Sequence, residues 1–237
     1  MKIFSSAFLI GVLAVTTLTR AADITGVITL TGTPPAEVPI QPLMDDPTCG
    51  ALHTETPTTH FYVVGKNGEF GEVIVSLKDA SGNVITGKST GANAAPVVLD
   101  QKGCLYSPQI LAIQTGQKLT VKNSDPCVHN VHSTSKAGNP EHNDVQMSGG
   151  ADLNYTFDKP EMFMKFQCDV HPWMFAWVSI FDNPWYAISG TDGKFVIKDV
   201  PPGTYTVVAN HRKLGEKTQT VTVADKDVMA NFTFEVK

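Results

Sequence analysis

Short runs in which apolar and polar residues alternate, separated by turn sequences, make up most of this 237-residue chain. The run at 118–122 (Lys-Leu-Thr-Val-Lys) is an example, with a Thr-Gly turn at 115–116 and an Asn-Ser-Asp-Pro turn at 123–126. A period of two is typical of β-strands with one buried face. Long amphipathic helical patterns are absent, while 19 Gly and 15 Pro supply turns throughout. The sequence therefore predicts an all-β fold of the sandwich or barrel type.

The first 21 residues have the pattern of an export signal. Lys2 supplies a positive start, residues 3–18 are mostly apolar, and residues 19–21 form a cleavage site before Ala22. The apolar run is too short, and too interrupted by Ser and Thr, to span a bilayer comfortably. No cysteine follows it directly, so a lipid anchor is not expected. We therefore expect a periplasmic or secreted protein without a membrane span.

The charge of the chain restricts its partners. Removal of the signal takes away Lys2 and Arg20, which leaves 18 − 2 = 16 basic residues against 23 acidic ones and a net charge of −7. An acidic protein is not expected to bind nucleic acid or an anionic membrane, and its sign suits a basic patch on a partner protein. The remaining residues, about 216, suffice for one large or two modest domains.

The loop Cys168-Asp-Val-His171-Pro-Trp-Met174 carries the strongest functional signal. It places a thiol, an imidazole and a thioether within seven residues, and His129 and His132 lie upstream in a short His-rich stretch. One cysteine, two histidines and a methionine are the ligands of a blue-copper electron-transfer site. Because side chains alternate along a strand, only one of His129 and His132 can readily face the thiolate.

The residues before Cys168 predict that its side chain points into the interior. Lys165 and Gln167 fall on the polar face of a predicted strand. The opposite face carries the alternating apolar residues Met162, Met164 and Phe166, followed by Cys168. In that position a metal-bound thiolate would be shielded from water.

Zinc binding and nucleophilic catalysis compete with copper binding for the same residues. A zinc site could use Cys168 and several histidines, but it leaves Met174 without a role, and the spacing indicates no open position for a catalytic water. A Cys168–His171 nucleophilic pair lacks a third residue that would orient it. A purely structural loop would not require the upstream histidine. We therefore expect a metal-binding protein and not an enzyme, with no catalytic residues.

Four cysteines need partners or roles in an oxidising compartment. If Cys168 binds metal, only one disulfide can form among the other three. Cys49 and Cys104 both lie in turn-like sequences, which suits a disulfide between them. Cys127 is most simply a small buried hydrophobic residue, and a second metal ligand is the alternative.

Residues 95–182 resemble a cupredoxin, and amicyanin most closely. The resemblance rests on the His-Asn-Val-His sequence at 129–132, on the C-x-x-H-P-aromatic-M loop at 168–174, and on the Gly-Gln-Lys-Leu-Thr-Val run from 116. It implies a Greek-key β-sandwich that carries electrons through one copper ion, which alternates between Cu(I) and Cu(II). The implied copper ligands are His129, Cys168, His171 and Met174.

The same resemblance assigns supporting roles around the copper. Asn130 matches a residue whose hydrogen bonds join the two ligand-bearing segments. Pro172 and Trp173 complete the short ligand loop, and together with Phe175 they are expected to surround an exposed edge of His171 where electrons leave. The implied partner is a redox protein, either a methylamine-oxidising dehydrogenase or a cytochrome. As a whole, the chain resembles secreted proteins described as methylamine-utilisation proteins.

The C-terminal residues resemble a second kind of β-sandwich. Residues 188–237 are similar to the carboxypeptidase-regulatory-like (immunoglobulin/transthyretin-like) sandwich, through turns at 191–195 and 201–205. The first half of that pattern lies far upstream, at 26–35 and 71–77. We therefore expect a sandwich split in sequence. Its halves are 22–95 and 184–237, with the cupredoxin domain at 96–183 between them. A C-terminal appendage together with an N-terminal extension is the alternative.

Two functions remain open from the sequence. The first is a one-electron carrier, in which the protein keeps its copper and cycles it. The second is a copper-binding module for acquisition, storage or delivery, which hands the copper on. The sequence does not distinguish them, because both need the same ligands.

Overall fold

The computed structural model describes residues 20–236, so nearly all of the predicted signal segment 1–21 lies outside the described residues. Among these described residues, 47% lie in strands and 6% in helices, and the predicted all-β class is confirmed. No helix within residues 20–236 has the length and apolar character needed to cross a membrane.

The chain forms seventeen strands and two short α-helices in the described part, with a 3₁₀ turn at Gly91–Asn93. The helices are α1 (Gln41–Asp45) and α2 (Pro47–Gly50). The strands are β1 (Ala22–Thr31), β2 (Ile74–Asp79), β3 (Val97–Gln101), β4 (Tyr106–Ser107), β5 (Ile110–Gln114), β6 (Leu119–Asn123), β7 (His129–Thr134), β8 (His142–Gln146), β9 (Leu153–Tyr155), β10 (Glu161–Gln167), β11 (Phe175–Phe181), β12 (Tyr186–Ile188), β13 (Lys194–Val200), β14 (Gly203–His211), β15 (Gly215–Val223), β16 (Val228–Met229) and β17 (Phe232–Glu235).

Strands β3 to β11 form a first β-sandwich. One sheet has the order β5-β11-β10-β7-β8 and the other β4-β3-β6-β9. Alternate side chains of both sheets point between them, so that Leu99, Val121, Phe166 and Val178 are fully buried in one core. The proposed ligand segments at the start of β7 and between β10 and β11 belong to the first of these sheets.

The other eight strands form a second β-sandwich. In one sheet β1 lies between β13 and β16 and also pairs with β17; in the other the order is β12-β2-β14-β15. Its core combines residues from both ends of the chain, including Ile24, Phe70, Ile197 and Val207, each fully buried.

The pairings across this second sandwich are those that a split sandwich requires. β1 runs antiparallel to β13, with Val27 opposite Lys194, and β2 runs antiparallel to β14, with Leu77 opposite Val207. The N-terminal strands alone, or the C-terminal strands alone, would leave these strand edges without hydrogen-bond partners. The exact domain boundaries remain a prediction.

The N-terminal segment also contributes to the first sandwich, beyond the disulfide link that the sequence indicated. Ile40 and Leu43 of the α1 region and Cys49 of α2 belong to the core of the first sandwich. A disulfide joins Cys49 to Cys104, as predicted. The segment 40–50 therefore packs against the first sandwich, while its flanking strands belong to the second sandwich.

The strand before Cys168 differs from its predicted alternation at one end. Met164, Phe166 and Cys168 are buried as expected, but Met162 is 37% exposed. The β10–β11 register shifts between Glu161 and Met164, and Phe163 has a positive φ of 54°. This bulge turns Met162 outward, because an extra residue reverses the faces on which side chains lie.

Candidate metal centre

Two neighbouring strands bring the predicted ligands together. β7 and β10 are antiparallel partners, with His132 opposite Gln167. Cys168 follows β10 directly, and its sulfur accepts a hydrogen bond from the backbone N–H of Asn130 at 3.5 Å. His129 begins β7 with its ring on the buried face, whereas the ring of His132 is half-exposed on the other face. The alternation predicted from the sequence is therefore present.

Three donor atoms converge in the core of the first sandwich. The Nδ1 atoms of His129 and His171 are 2.9 Å apart, and the Cys168 sulfur lies 4.0 Å from the first and 3.7 Å from the second. Metal bonds of about 2.0 Å to nitrogen and about 2.3 Å to sulfur place ligands of one ion about 3 to 4 Å apart. All three residues are less than 10% exposed. The donor set and its spacing therefore fit one metal ion.

Met174 is held near these residues by the loop that contains it. The Cys168 N–H donates to the Met174 carbonyl at 3.1 Å, and the Met174 N–H donates to the His171 carbonyl at 2.9 Å. The side chain of Met174 is fully buried in the core that also contains Cys168. These contacts place Met174 beside the site. Its role as a fourth ligand stays a prediction.

Asn130 links the two ligand-bearing segments, as the resemblance implied. Its side-chain oxygen accepts the N–H of Asp169, and its side-chain amide donates to the carboxylate of Asp169 at 3.3 Å. Asp169 also lies 2.8 Å from Nδ1 of His132. Hydrogen bonds, above all to His132 and also to Gln167 and Asn130, lower the pKa of Asp169 to about 2. His132 thus supports the loop from outside and is not one of the converging donors.

Asp125 holds His129 from the other side, and the sequence pattern did not single it out. Its carboxylate lies 2.9 Å from His129 Nε2 and accepts the backbone N–H groups of Gly103 and Cys104. A carboxylate at Nε2 fixes the imidazole tautomer that leaves Nδ1 free for a metal. The Asn-Ser-Asp-Pro sequence at 123–126 predicts only a turn. The one sequence signal for the contact was that Asp125 lies four residues before His129.

The ionisation of the site follows from these contacts. Burial lowers the pKa of His129, but the hydrogen bonds to Asp125 and Cys168 outweigh it and raise that pKa to about 9. Burial raises the pKa of the Cys168 thiol. The hydrogen bonds from His129 and from the Asn130 N–H outweigh burial, so the net effect is a lowered pKa. These hydrogen bonds thus favour the ionised form of the Cys168 sulfur, which is the form that binds a metal.

The surroundings of His171 differ from the expectation of an exposed edge. Its side chain is only 6% exposed. The ring of Trp173 packs 5.2 Å from it, and the sulfur atoms of Cys49 and Cys104 lie within 4.8 Å of its donor nitrogen. The disulfide and α2 thus cover the ring. Pro172 is exposed.

Cys127 lies against both the disulfide and His129. It is a half-buried free thiol, and its sulfur lies 3.8 Å from the sulfur of Cys104 and 3.6 Å from Nε2 of His129. It packs at the edge of the first core, in partial agreement with the prediction of a small buried residue. Cys104, Asp125, Cys127 and His129 form a second group of neighbouring donors, but Cys104 is already bonded to Cys49.

No protein-family model and no curated protein matches this chain. Solved structures with similar parts include a copper-containing nitrite reductase from Thermus scotoductus SA-01, with 21% identity over 37% of this chain and a TM-score of 0.34. Only 22% of that reductase is covered, so the chain matches about a fifth of its length. A mutant of amicyanin in the Cu(I) form has 17% identity over 45% of this chain and 97% of its own, with a TM-score of 0.33. A purple cupredoxin from Nitrosopumilus maritimus has 24% identity over 37% of this chain and 99% of its own, with a TM-score of 0.30.

Proposed function

We propose that the protein is an exported copper protein that carries single electrons and catalyses no reaction. His129, Cys168 and His171 would hold one copper ion, with Met174 as a weaker fourth ligand. The single observation that carries this proposal is the buried triangle of two Nδ1 atoms and one thiol sulfur. That donor set is characteristic of blue-copper electron-transfer sites.

The protein residues around the triangle suit a carrier because they are positioned independently of any metal. Asp125 holds His129, and Asn130 holds both the Cys168 sulfur and the backbone of Asp169. Ligands fixed by such hydrogen bonds cannot rearrange much when the charge of the site changes. Copper would supply the one-electron chemistry, and burial of the three donors would keep water away. The redox partner proposed from the resemblance is a dehydrogenase or a cytochrome.

An absorption spectrum of the protein titrated with Cu(II) tests this proposal. We expect an intense visible band from charge transfer between the Cys168 thiolate and copper. Cys168→Ser should abolish the band, because a hydroxyl is too weakly acidic to replace the thiolate. Cys127→Ser is the matched control, since it removes the other free thiol and should leave the band unchanged. A colourless Cu(II) complex of the wild type, or zinc that copper cannot displace, would refute the proposal.

Copper storage or delivery is a second candidate, favoured by one observation. His171 is only 6% exposed beneath the disulfide and Trp173, which leaves little of its ring open to a redox partner. A carrier should retain its copper through repeated reduction and oxidation. A delivery protein should lose Cu(I) to a soluble chelator once it has been reduced. Copper retained per cycle, measured by elemental analysis after gel filtration, separates the two functions.

A further inference from the structure

Three cysteine sulfurs lie next to one another beside the candidate metal centre. Cys49 and Cys104 are joined as a disulfide, and the free sulfur of Cys127 lies 3.8 Å from the sulfur of Cys104. Cys127 is half-buried, so solvent reaches the residue, whereas Cys49 and Cys104 are fully buried. A thiol in contact with one sulfur of a disulfide is the arrangement from which thiol–disulfide exchange begins.

We propose that Cys49, Cys104 and Cys127 form a thiol–disulfide exchange centre. Cys127 gives its proton to a base in solution, and its sulfur electron pair forms a bond to the sulfur of Cys104. The Cys49–Cys104 bond breaks at the same time, and Cys49 leaves as a thiolate that takes a proton from water. One disulfide and one free thiol exist before and after the step. No external oxidant or reductant is consumed.

The exchange changes what is tied to the metal-binding half of the molecule. Before it, the disulfide fastens α2 to the segment before β4, with both sulfurs within 4.8 Å of the ring nitrogen of His171. After it, the new bond joins Cys104 to Cys127, both within the first sandwich. The segment 40–50 is then held mainly by burial of Ile40 and Leu43 and by local hydrogen bonds. The covalent hold on the cover of His171 is released.

The exchange and the exposure of His171 can both be measured on metal-free protein. They therefore do not depend on the proposed function, and an absent copper spectrum would leave them untouched. Released cover over His171 would also open the way to a bound copper ion. This last consequence alone rests on the proposed function.

Native alkylation followed by peptide mapping without reduction tests the sulfur chemistry. Iodoacetamide should trap Cys49 as it is released, so a fraction of the wild-type protein should carry alkylated Cys49 together with a Cys104–Cys127 disulfide. In the Cys127→Ser control, Cys49 should stay bonded to Cys104 and unmodified. Wild-type protein that is alkylated only at free Cys127 and Cys168, with the Cys49–Cys104 link intact at every time, would overturn the proposal.

A variant that mimics the exchanged state tests the consequence. Cys49→Ser, produced under oxidising conditions, should contain a Cys104–Cys127 disulfide. Modification of His171 by diethylpyrocarbonate, followed by mass spectrometry, should be several-fold faster in this variant than in wild type or in Cys127→Ser. Free thiols at both Cys104 and Cys127 would show that the sulfur contact is packing only. An unchanged rate at His171 would show that the disulfide does not hold the cover in place.

Discussion

His129 is held from opposite sides of its ring by two acidic groups. The carboxylate of Asp125 lies 2.9 Å from Nε2, and the sulfur of Cys168 lies 4.0 Å from Nδ1. The two contacts leave the ring little freedom to rotate, and the bond to Asp125 occupies Nε2, so Nδ1 is the nitrogen available to a metal. At the scale of single residues, the site is thus defined as much by Asp125 as by the donors themselves.

Asp125→Asn should weaken Cu(II) binding by about 10- to 100-fold, the usual effect of losing a hydrogen-bond partner of a metal-binding histidine. The carboxylate accepts three N–H groups, from His129, Gly103 and Cys104, and an amide can offer its single oxygen to only part of this set. Competition with a copper chelator of known affinity measures the loss. Asp152→Asn, the same substitution at an exposed position, is the control. Equal affinities of the two variants would show that Asp125 does not support the site.

At the scale of elements, β1 contains a glycine that its neighbouring strands require. Gly26 lies in the middle of β1, opposite Phe195 of β13. An added Cβ would lie 1.9 Å from the carbonyl oxygen of Ala230 and 2.7 Å from the ring of Phe195. The close approach of two backbones, and not a special turn, therefore requires glycine at this position.

Gly26→Ala should lower the free energy of unfolding by about 3 kcal/mol, at the upper end of the cost of overpacking. The opposing gain, from restricting the unfolded chain, is at most about 1 kcal/mol. The clash wins because its partner is backbone, which cannot rotate away. Urea unfolding of the metal-free protein measures the change. Thr25→Ala, at the neighbouring half-buried position, should cost less than about 1 kcal/mol. A similar loss in both variants would contradict the role assigned to close backbone approach.

At the scale of the whole molecule, the two sandwiches share one polypeptide in an interrupted order. The second sandwich needs β1 and β2 from the N-terminal part, because β1 separates β13 from β17 and β2 separates β12 from β14. The first sandwich in turn receives Leu43 and Cys49 from the same N-terminal part. Neither end of the chain is therefore independent of the other.

The fragment 184–237 should be unfolded or insoluble when it is expressed alone. It would expose the edges of β13 and β14 that β1 and β2 occupy in the full chain, together with an uncovered apolar face. Circular dichroism during urea unfolding provides the measurement, with the chain 22–237 as the control. A soluble fragment with a cooperative transition would show that the C-terminal strands form a self-sufficient domain.

The sequence by itself determined the features that depend on local pattern. Alternation with a period of two assigned the all-β class, put Cys168 on a buried face and separated His129 from His132. The turn contexts of Cys49 and Cys104 indicated their disulfide. These features could be predicted because strand periodicity and turn chemistry act over a few residues, and each leaves a readable signature in the chain.

Only the tertiary structure decided what lies against the candidate site. The bulge at Phe163 that turns Met162 outward depends on pairing with β11. The covering of His171 depends on a segment more than a hundred residues upstream, and the contact between Cys127 and Cys104 depends on how two separate turns meet. Contacts between remote parts of a chain are fixed by packing and strand register, for which a single sequence carries no local pattern.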